Sequence, residues 1–117
     1  MVMIERRIFK RRRLVNYPAV FNKGVYQMIG RMINVSIEGA MISCDEPVRE
    51  NASFMFKLTL PKAIDGKNDI TFEAKCIWSQ VDEETGYHNA GFQLLNISSS
   101  NKIIIKQMIQ DCGYDYY

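Results

Sequence analysis

Phe54-Met55-Phe56-Lys57-Leu58-Thr59-Leu60-Pro61 and Phe72-Glu73-Ala74-Lys75-Cys76-Ile77-Trp78 decide the fold class. In the first run Phe54, Phe56, Leu58 and Leu60 fall on one parity, and Met55, Lys57 and Thr59 on the other. In the second, Phe72, Ala74, Cys76 and Trp78 alternate with Glu73, Lys75, Ile77 and Ser79. Successive side chains of a strand point to opposite faces, so a period of two reads as two half-buried β-strands. Pro61 has no amide hydrogen for a ladder and is expected to end the first run. Between the runs, residues 63–69 hold Asp65-Gly66, a turn signal.

Outward from this pair the chain keeps the same character. Leu14–Phe21 reads as a strand stopped by Asn22-Lys23-Gly24, and Val25–Asn34 as the next, with Tyr26, Met28 and Met32 on one parity. Ala40–Cys44 is a short strand closed by Asp45-Glu46-Pro47. Tyr87–Leu95 comes after the polar loop Asp82–Gly86. Six short antiparallel strands broken by frequent turns predict a small barrel or sandwich. The period then changes. Ser98-Ser99-Ser100 offers capping hydroxyls, Ile104, Ile105, Met108, Ile109 and Cys112 share one helical face, and Gly113 suits a helix stop. A helix over about residues 99–112 is expected to lie on the barrel and plug an open edge. The β-branched run Ile103-Ile104-Ile105 lowers its propensity, so packing must hold it. The fold class is all-β with a C-terminal helix: one domain over residues 14–117, led by a flexible basic arm over residues 1–13.

With 117 residues and 47% of them apolar, the chain can bury one core without metal or disulfide staples. A formal net charge of +2 conceals a split. Residues 1–31 carry eight basic side chains against Glu5 alone; residues 32–117 carry seven against twelve acidic ones. That pattern excludes a uniformly basic coat for DNA or RNA and points to a local anion site near the N-terminus. No run approaches the roughly 18 apolar residues of a membrane span, and the Met1–Ile4 stretch is too short for a signal segment. Three cysteines (Cys44, Cys76 and Cys112) without CxxC spacing suggest reduced, mostly buried thiols in a cytoplasmic protein.

Catalytic groups are scarce. His88 is the one histidine, Asp82-Glu83-Glu84 reads as a solvated hairpin tip, and the cysteines lack a base partner. None of the phosphate-loop, dinucleotide, zinc-protease or serine-elbow patterns occurs. The chain is expected to be no enzyme and to hold no metal or cofactor. Two features carry information instead. One is Arg6-Arg7-Ile8-Phe9-Lys10-Arg11-Arg12-Arg13, six basic residues in eight positions. Guanidinium groups pair with phosphate in two-point fashion, stack on purines and bond the O6/N7 edge of guanine. The other is Asn34-Val35-Ser36-Ile37-Glu38-Gly39, where Asn and Ser bring polar groups to a turn. There Gly39 suits a positive φ or a close backbone approach. Alone, the first reads as well as a solubilising tail and the second as an ordinary turn.

Taken together, Arg7-x-x-x-Arg11, 22 intervening residues and Asn34-x-Ser36-x-x-Gly39 resemble the signature of the PilZ domain family, RxxxR and then [DN]xSxxG. Ala74–Trp78 in a late strand, Ala90-Gly91-Phe92 in the last strand and the closing helix agree with it, from about Glu5 to about Cys112. The resemblance implies a six-stranded antiparallel PilZ-like β-barrel and a receptor for the bacterial second messenger cyclic di-GMP. Arg7 and Arg11 match the first motif and would clamp phosphates and guanines; Asn34, Ser36 and Gly39 match the second and would line the guanine-binding turn. Arg6 would add a third guanidinium favouring two stacked dinucleotides, and Arg12 stands as a further phosphate contact. The domain is expected to stand alone and to relay occupancy by ordering its arm. Its targets would be a protein effector in motility or exopolysaccharide control, or its own homodimer. Two alternatives are a PilZ-like adaptor that binds no nucleotide and a small barrel that binds single-stranded nucleic acid. The second needs exposed aromatic faces, whereas Phe54, Phe56, Phe72 and Trp78 sit on the core parity.

Overall fold

In the computed structural model, which describes residues 12–14 and 18–115 and side chains over 18–111, the two alternating runs form one long antiparallel hairpin. Its strands are β5 (Ser53–Ile64) and β6 (Lys67–Val81). The turn between them is the expected Asp65-Gly66, with φ of 52° and 74°. Two left-handed residues match the twist of the flanking strands, and glycine takes the second position without a Cβ penalty. Pro61 does not end β5. The ladder loses register between Thr59 and Ile64, so the proline falls where no amide hydrogen is required.

The remaining strands are β1 (Arg12–Leu14), β2 (Ala19–Asn22), β3 (Gln27–Val35), β4 (Gly39–Cys44), β7 (His88–Leu95) and β8 (Gly113–Asp115). The helix α1 spans Ser99–Cys112. Pairing runs β2-β5-β6-β7-β4-β3, and a β2–β3 ladder closes the six strands into a barrel. β1 and β8 extend from the far half of β3. The lead-in expected as one strand over Leu14–Phe21 is thus two, β1 beside Asn34 and Val35 and β2 beside Gln27–Arg31. Pro18, just ahead of β2, contributes only its carbonyl, which accepts from the Met32 amide at 2.8 Å. Gly113–Asp115, beyond the helix, pairs with β1.

The core is built on the inward parity of the six barrel strands. Phe56 stands at its centre, its ring stacked on Phe54 at 5.5 Å and edge-on to Phe92 at 5.1 Å and to Phe72 at 6.2 Å. Such ring pairs each add about 0.5–1.5 kcal/mol beyond the area they bury. Ile104, Ile105 and Met108 of α1 enter the same core, with Ile109 packed against it, which is how a helix with a poor propensity run is held. Ser98 Oγ accepts the Asn101 amide at 3.1 Å, the expected N-cap. Asn101 Nδ2 donates to Thr71 O at 2.8 Å and ties the first turn to β6. The helix packs on β5, β8 and β1. It covers no open edge, because the β2–β3 ladder leaves none in the barrel.

Two parities depart from expectation. Tyr26 lies in the turn before β3 with φ of 52°, and Met28 is exposed at the strand's start; of the three residues, Met32 alone enters the core. Trp78 leaves the core parity because β6 bulges between Cys76 and Trp78. Ala90 and Phe92 point inward, so Gly91 faces out, and the Trp78 indole lies over it on the outer surface.

Candidate functional site

The Asn34–Gly39 motif is the connection between β3 and β4. Its form rests on Ser36. The Ser36 amide donates to Gly39 O at 2.8 Å, and Ser36 Oγ accepts from the Glu38 and Gly39 amides at 3.1 and 3.3 Å. One hydroxyl thus satisfies two backbone donors of a turn, which is why serine fits here. The Glu38 carbonyl accepts from Leu94 N at 3.0 Å and moors the turn to β7. Gly39 is the first residue of β4, opposite Gln93 and buried. Among the described residues the positive-φ glycines are Gly66 and Gly86, so Gly39 does not meet the positive-φ expectation.

Asn34 reaches the site through a bulge. Met32 pairs with Ile42, but Asn34 pairs with Met41, so Ile33 is an extra residue that reverses the facing of Asn34 and Val35. Val35 then enters the core opposite Ala40, and Asn34 turns to the outer side while only 1% exposed. On the far edge of β3, β1 runs antiparallel with Arg13 opposite Asn34 and Arg12 opposite Val35. The end of the arginine cluster is therefore strand-paired to the second motif. Arg6, Arg7 and Arg11 lie outside the described residues.

Register reveals neighbours that spacing along the chain does not. Gly39 pairs with Gln93, Gln93 with Lys75, and Lys75 with Ser53, a row across the outer face of β4, β7, β6 and β5. Gln93 is exposed and Lys75 half-buried. The next outward row is Asn34, Met41, Gly91 and Trp78, with Arg13 of β1 the backbone partner of Asn34. By contrast, a cavity of about 480 Å³ bounded by Met28, Ile29, Val48 and Phe54 lies at the opposite mouth, toward the start of β3, and shares no residue with the motif.

Other polar groups have structural roles. Asp82 Oδ1 accepts the Glu84 amide at 2.9 Å, and the Asp82 backbone pairs with Gly86 and Tyr87, so the acidic triplet closes its own hairpin. Burial, then the neighbouring Cys76 and Asp45, pushes the Cys44 thiol up to about 12. Burial and Glu50 push Cys76 up to about 11. Both are protonated at neutral pH and neither is a thiolate nucleophile. Among the described residues no group of three or more His, Cys, Asp or Glu is arranged to hold a metal ion. Nor is any helix among them long and apolar enough to cross a membrane.

The model of the PilZ domain matches residues 5–111, nearly the whole chain. The chain belongs to the PilZ domain family. Solved structures carry the same fold. The PilZ domain with c-di-GMP of YcgR from Escherichia coli superposes with a TM-score of 0.68 at 15% identity, over 92% of this chain and 91% of that one. The inhibitor of motility MotI/DgrA from Bacillus subtilis gives a TM-score of 0.69 at 16% identity, over 92% of this chain and 52% of that one. YcgR in complex with c-di-GMP from Escherichia coli gives 0.72 at 15% identity, over 92% and 46%. This PilZ domain thus spans about half the length of those last two chains. No curated protein matches the sequence. At these identities the structural likeness establishes the PilZ barrel and leaves residue roles to this chain's own geometry.

Proposed function

We propose that this PilZ domain is a receptor for cyclic di-GMP, with Arg7 and Arg11 clamping phosphates and guanines and Asn34, Ser36 and Gly39 lining the guanine turn. The observation that carries the reading is the β1–β3 ladder, in which Arg13 faces Asn34 and Arg12 faces Val35. Consecutive Cα atoms are about 3.8 Å apart, so Arg11 is tethered one residue from a strand locked to the second motif. The ligand needs what the two motifs offer. Its two phosphates are met by charge-assisted guanidinium bonds, its guanine edges by guanidinium and turn groups. Two of the related solved structures contain c-di-GMP, which supports the same ligand here.

Binding orders the arginine arm against the barrel, and the ordered arm is the signal that a partner protein reads. A motility apparatus is the favoured target, since one structural relative is described as an inhibitor of motility. Catalysis has no part in this reading.

Calorimetric titration of cyclic di-GMP into the wild type and Arg11→Ala, with GTP and cyclic di-AMP as controls, tests it. Saturable heat for cyclic di-GMP alone, lost in the variant, is expected, and a ratio of two ligands per chain would bring in Arg6. No heat at about 100 μM, an affinity weaker than roughly −5.5 kcal/mol, would sink the reading in favour of an adaptor without nucleotide.

A further inference from the structure

We infer that Lys75 reads the Hoogsteen edge of a guanine seated over Gly39, making it a specificity residue outside both sequence motifs. The inference rests on the cyclic di-GMP reading and deepens it. Lys75 stands on the outer parity of β6, between the buried Ala74 and Cys76, and reaches the motif through one intervening residue, Gln93. Neighbouring strands lie about 4.8 Å apart, so Gly39 and Lys75 are separated by roughly 10 Å of sheet, a span that one nucleotide covers. Gly39 supplies a floor without a side chain, Gln93 a polar flank and Lys75 a cation at the far side.

Lys75 is also uncommitted. Among the described residues it forms no ion pair, although it is half-buried. Glu73, the nearest acid along its own strand on the same face, instead accepts from Asn96 Nδ2 at 3.3 Å. A lysine whose stem is packed on the sheet and whose ammonium has no counter-charge is open to an incoming acceptor. Guanine presents two acceptors, O6 and N7, to which lysine is a matched donor, whereas adenine places an amino group where O6 would be. Lysine has three donors and no acceptor, so it can bond both acceptors of the first base but only N7 of the second, whose amino group it meets donor to donor.

The test titrates cyclic di-GMP and cyclic di-AMP into the wild type, Lys75→Met, Lys75→Arg and Arg11→Ala. Lys75→Met keeps the packed stem and removes the charge. We expect it to bind cyclic di-GMP about tenfold more weakly with no change toward cyclic di-AMP, and Lys75→Arg to restore most of the affinity. Cyclic di-GMP affinity within twofold of wild type in Lys75→Met overturns the inference while leaving the receptor reading intact. A loss that vanishes at high salt, where Lys75→Met and the wild type bind cyclic di-GMP equally, also overturns it, because Lys75 would then be a general phosphate counter-charge. Failure of the wild type itself to bind, with no difference from Arg11→Ala, overturns the receptor reading and this inference with it.

Discussion

The indole of Trp78 occupies the space that a side chain on Gly91 would need: a Cβ built at Gly91 overlaps the indole nitrogen and the ring carbons beside it. The two residues are register partners across β6 and β7, immediately after the β6 bulge. Gly91→Ala should therefore lift the ring off the sheet or bend the strand, at about 1–3 kcal/mol for forced overpacking. Trp78 is the chain's one tryptophan, so its emission reports the site without interference. A red shift with a lower urea midpoint is expected. Unchanged emission and midpoint would mean that the sheet absorbs the methyl without moving the ring.

That relationship also shows where sequence reading stops. Alternation in Phe54–Leu60 and Phe72–Cys76 announced a hairpin of half-buried strands because burial in a sheet tracks parity. The helix face of Ile104, Ile105 and Met108 was legible for the equivalent reason at the helical period. Bulges break the parity rule without leaving a mark in composition, so Trp78 and Asn34 emerge on faces that counting by twos assigns wrongly. The Asn34, Ser36 and Gly39 motif was legible as a local pattern. Gln93 and Lys75 were not legible as neighbours of Gly39, because strand register joins residues distant in sequence.

Ser36 should prove structural before any ligand arrives. Its hydroxyl accepts from two amides, that of Gly39 buried and that of Glu38 half-buried. Ser36→Ala leaves both without that acceptor, a loss of about 1–3 kcal/mol where a buried donor stays unsatisfied. Ser36→Thr retains the oxygen and should recover most of it. Urea unfolding of the ligand-free protein measures this directly, and an alanine variant as stable as wild type would show that water or a shifted turn replaces the hydroxyl.

The two buried thiols give the fold a defined alkaline limit. Burial raises Cys44 to about 12 and Cys76 to about 11, above the ordinary value of 9.0. Between those values the unfolded chain loses protons that the folded chain keeps, so stability falls as pH rises. The contribution is complete below pH 9 and disappears as pH climbs through 11 to 12. Replacing both residues by alanine should flatten the stability profile in that window, measured as the difference from wild type. Near neutral pH, alkylation mapped peptide by peptide should reach Cys44 and Cys76 far more slowly in the native than in the unfolded chain. Equal rates would show that the barrel admits the reagent and that burial is not what protects them.

The last strand bears on how the arginine arm is held. β1 has two neighbours, β3 on one side and β8 on the other, with Arg12 opposite Asp115 and Arg13 opposite Tyr114. Removing residues 113–117 turns the three-residue β1 into a bare edge, and strands that short depend on pairing from both sides. The barrel itself closes through β2 and β3, so its urea midpoint should barely move. Affinity for cyclic di-GMP should fall about fivefold, on the order of the net worth of one backbone hydrogen bond, because the ligand must then order more of the arm. Hydrogen exchange at Asn34 and Val35 should quicken in the same variant, while exchange in the paired core of β5 and β6 stays slow. If affinity and exchange both match the untruncated chain, β8 has no share in holding the arm, and the β1–β3 ladder alone anchors it.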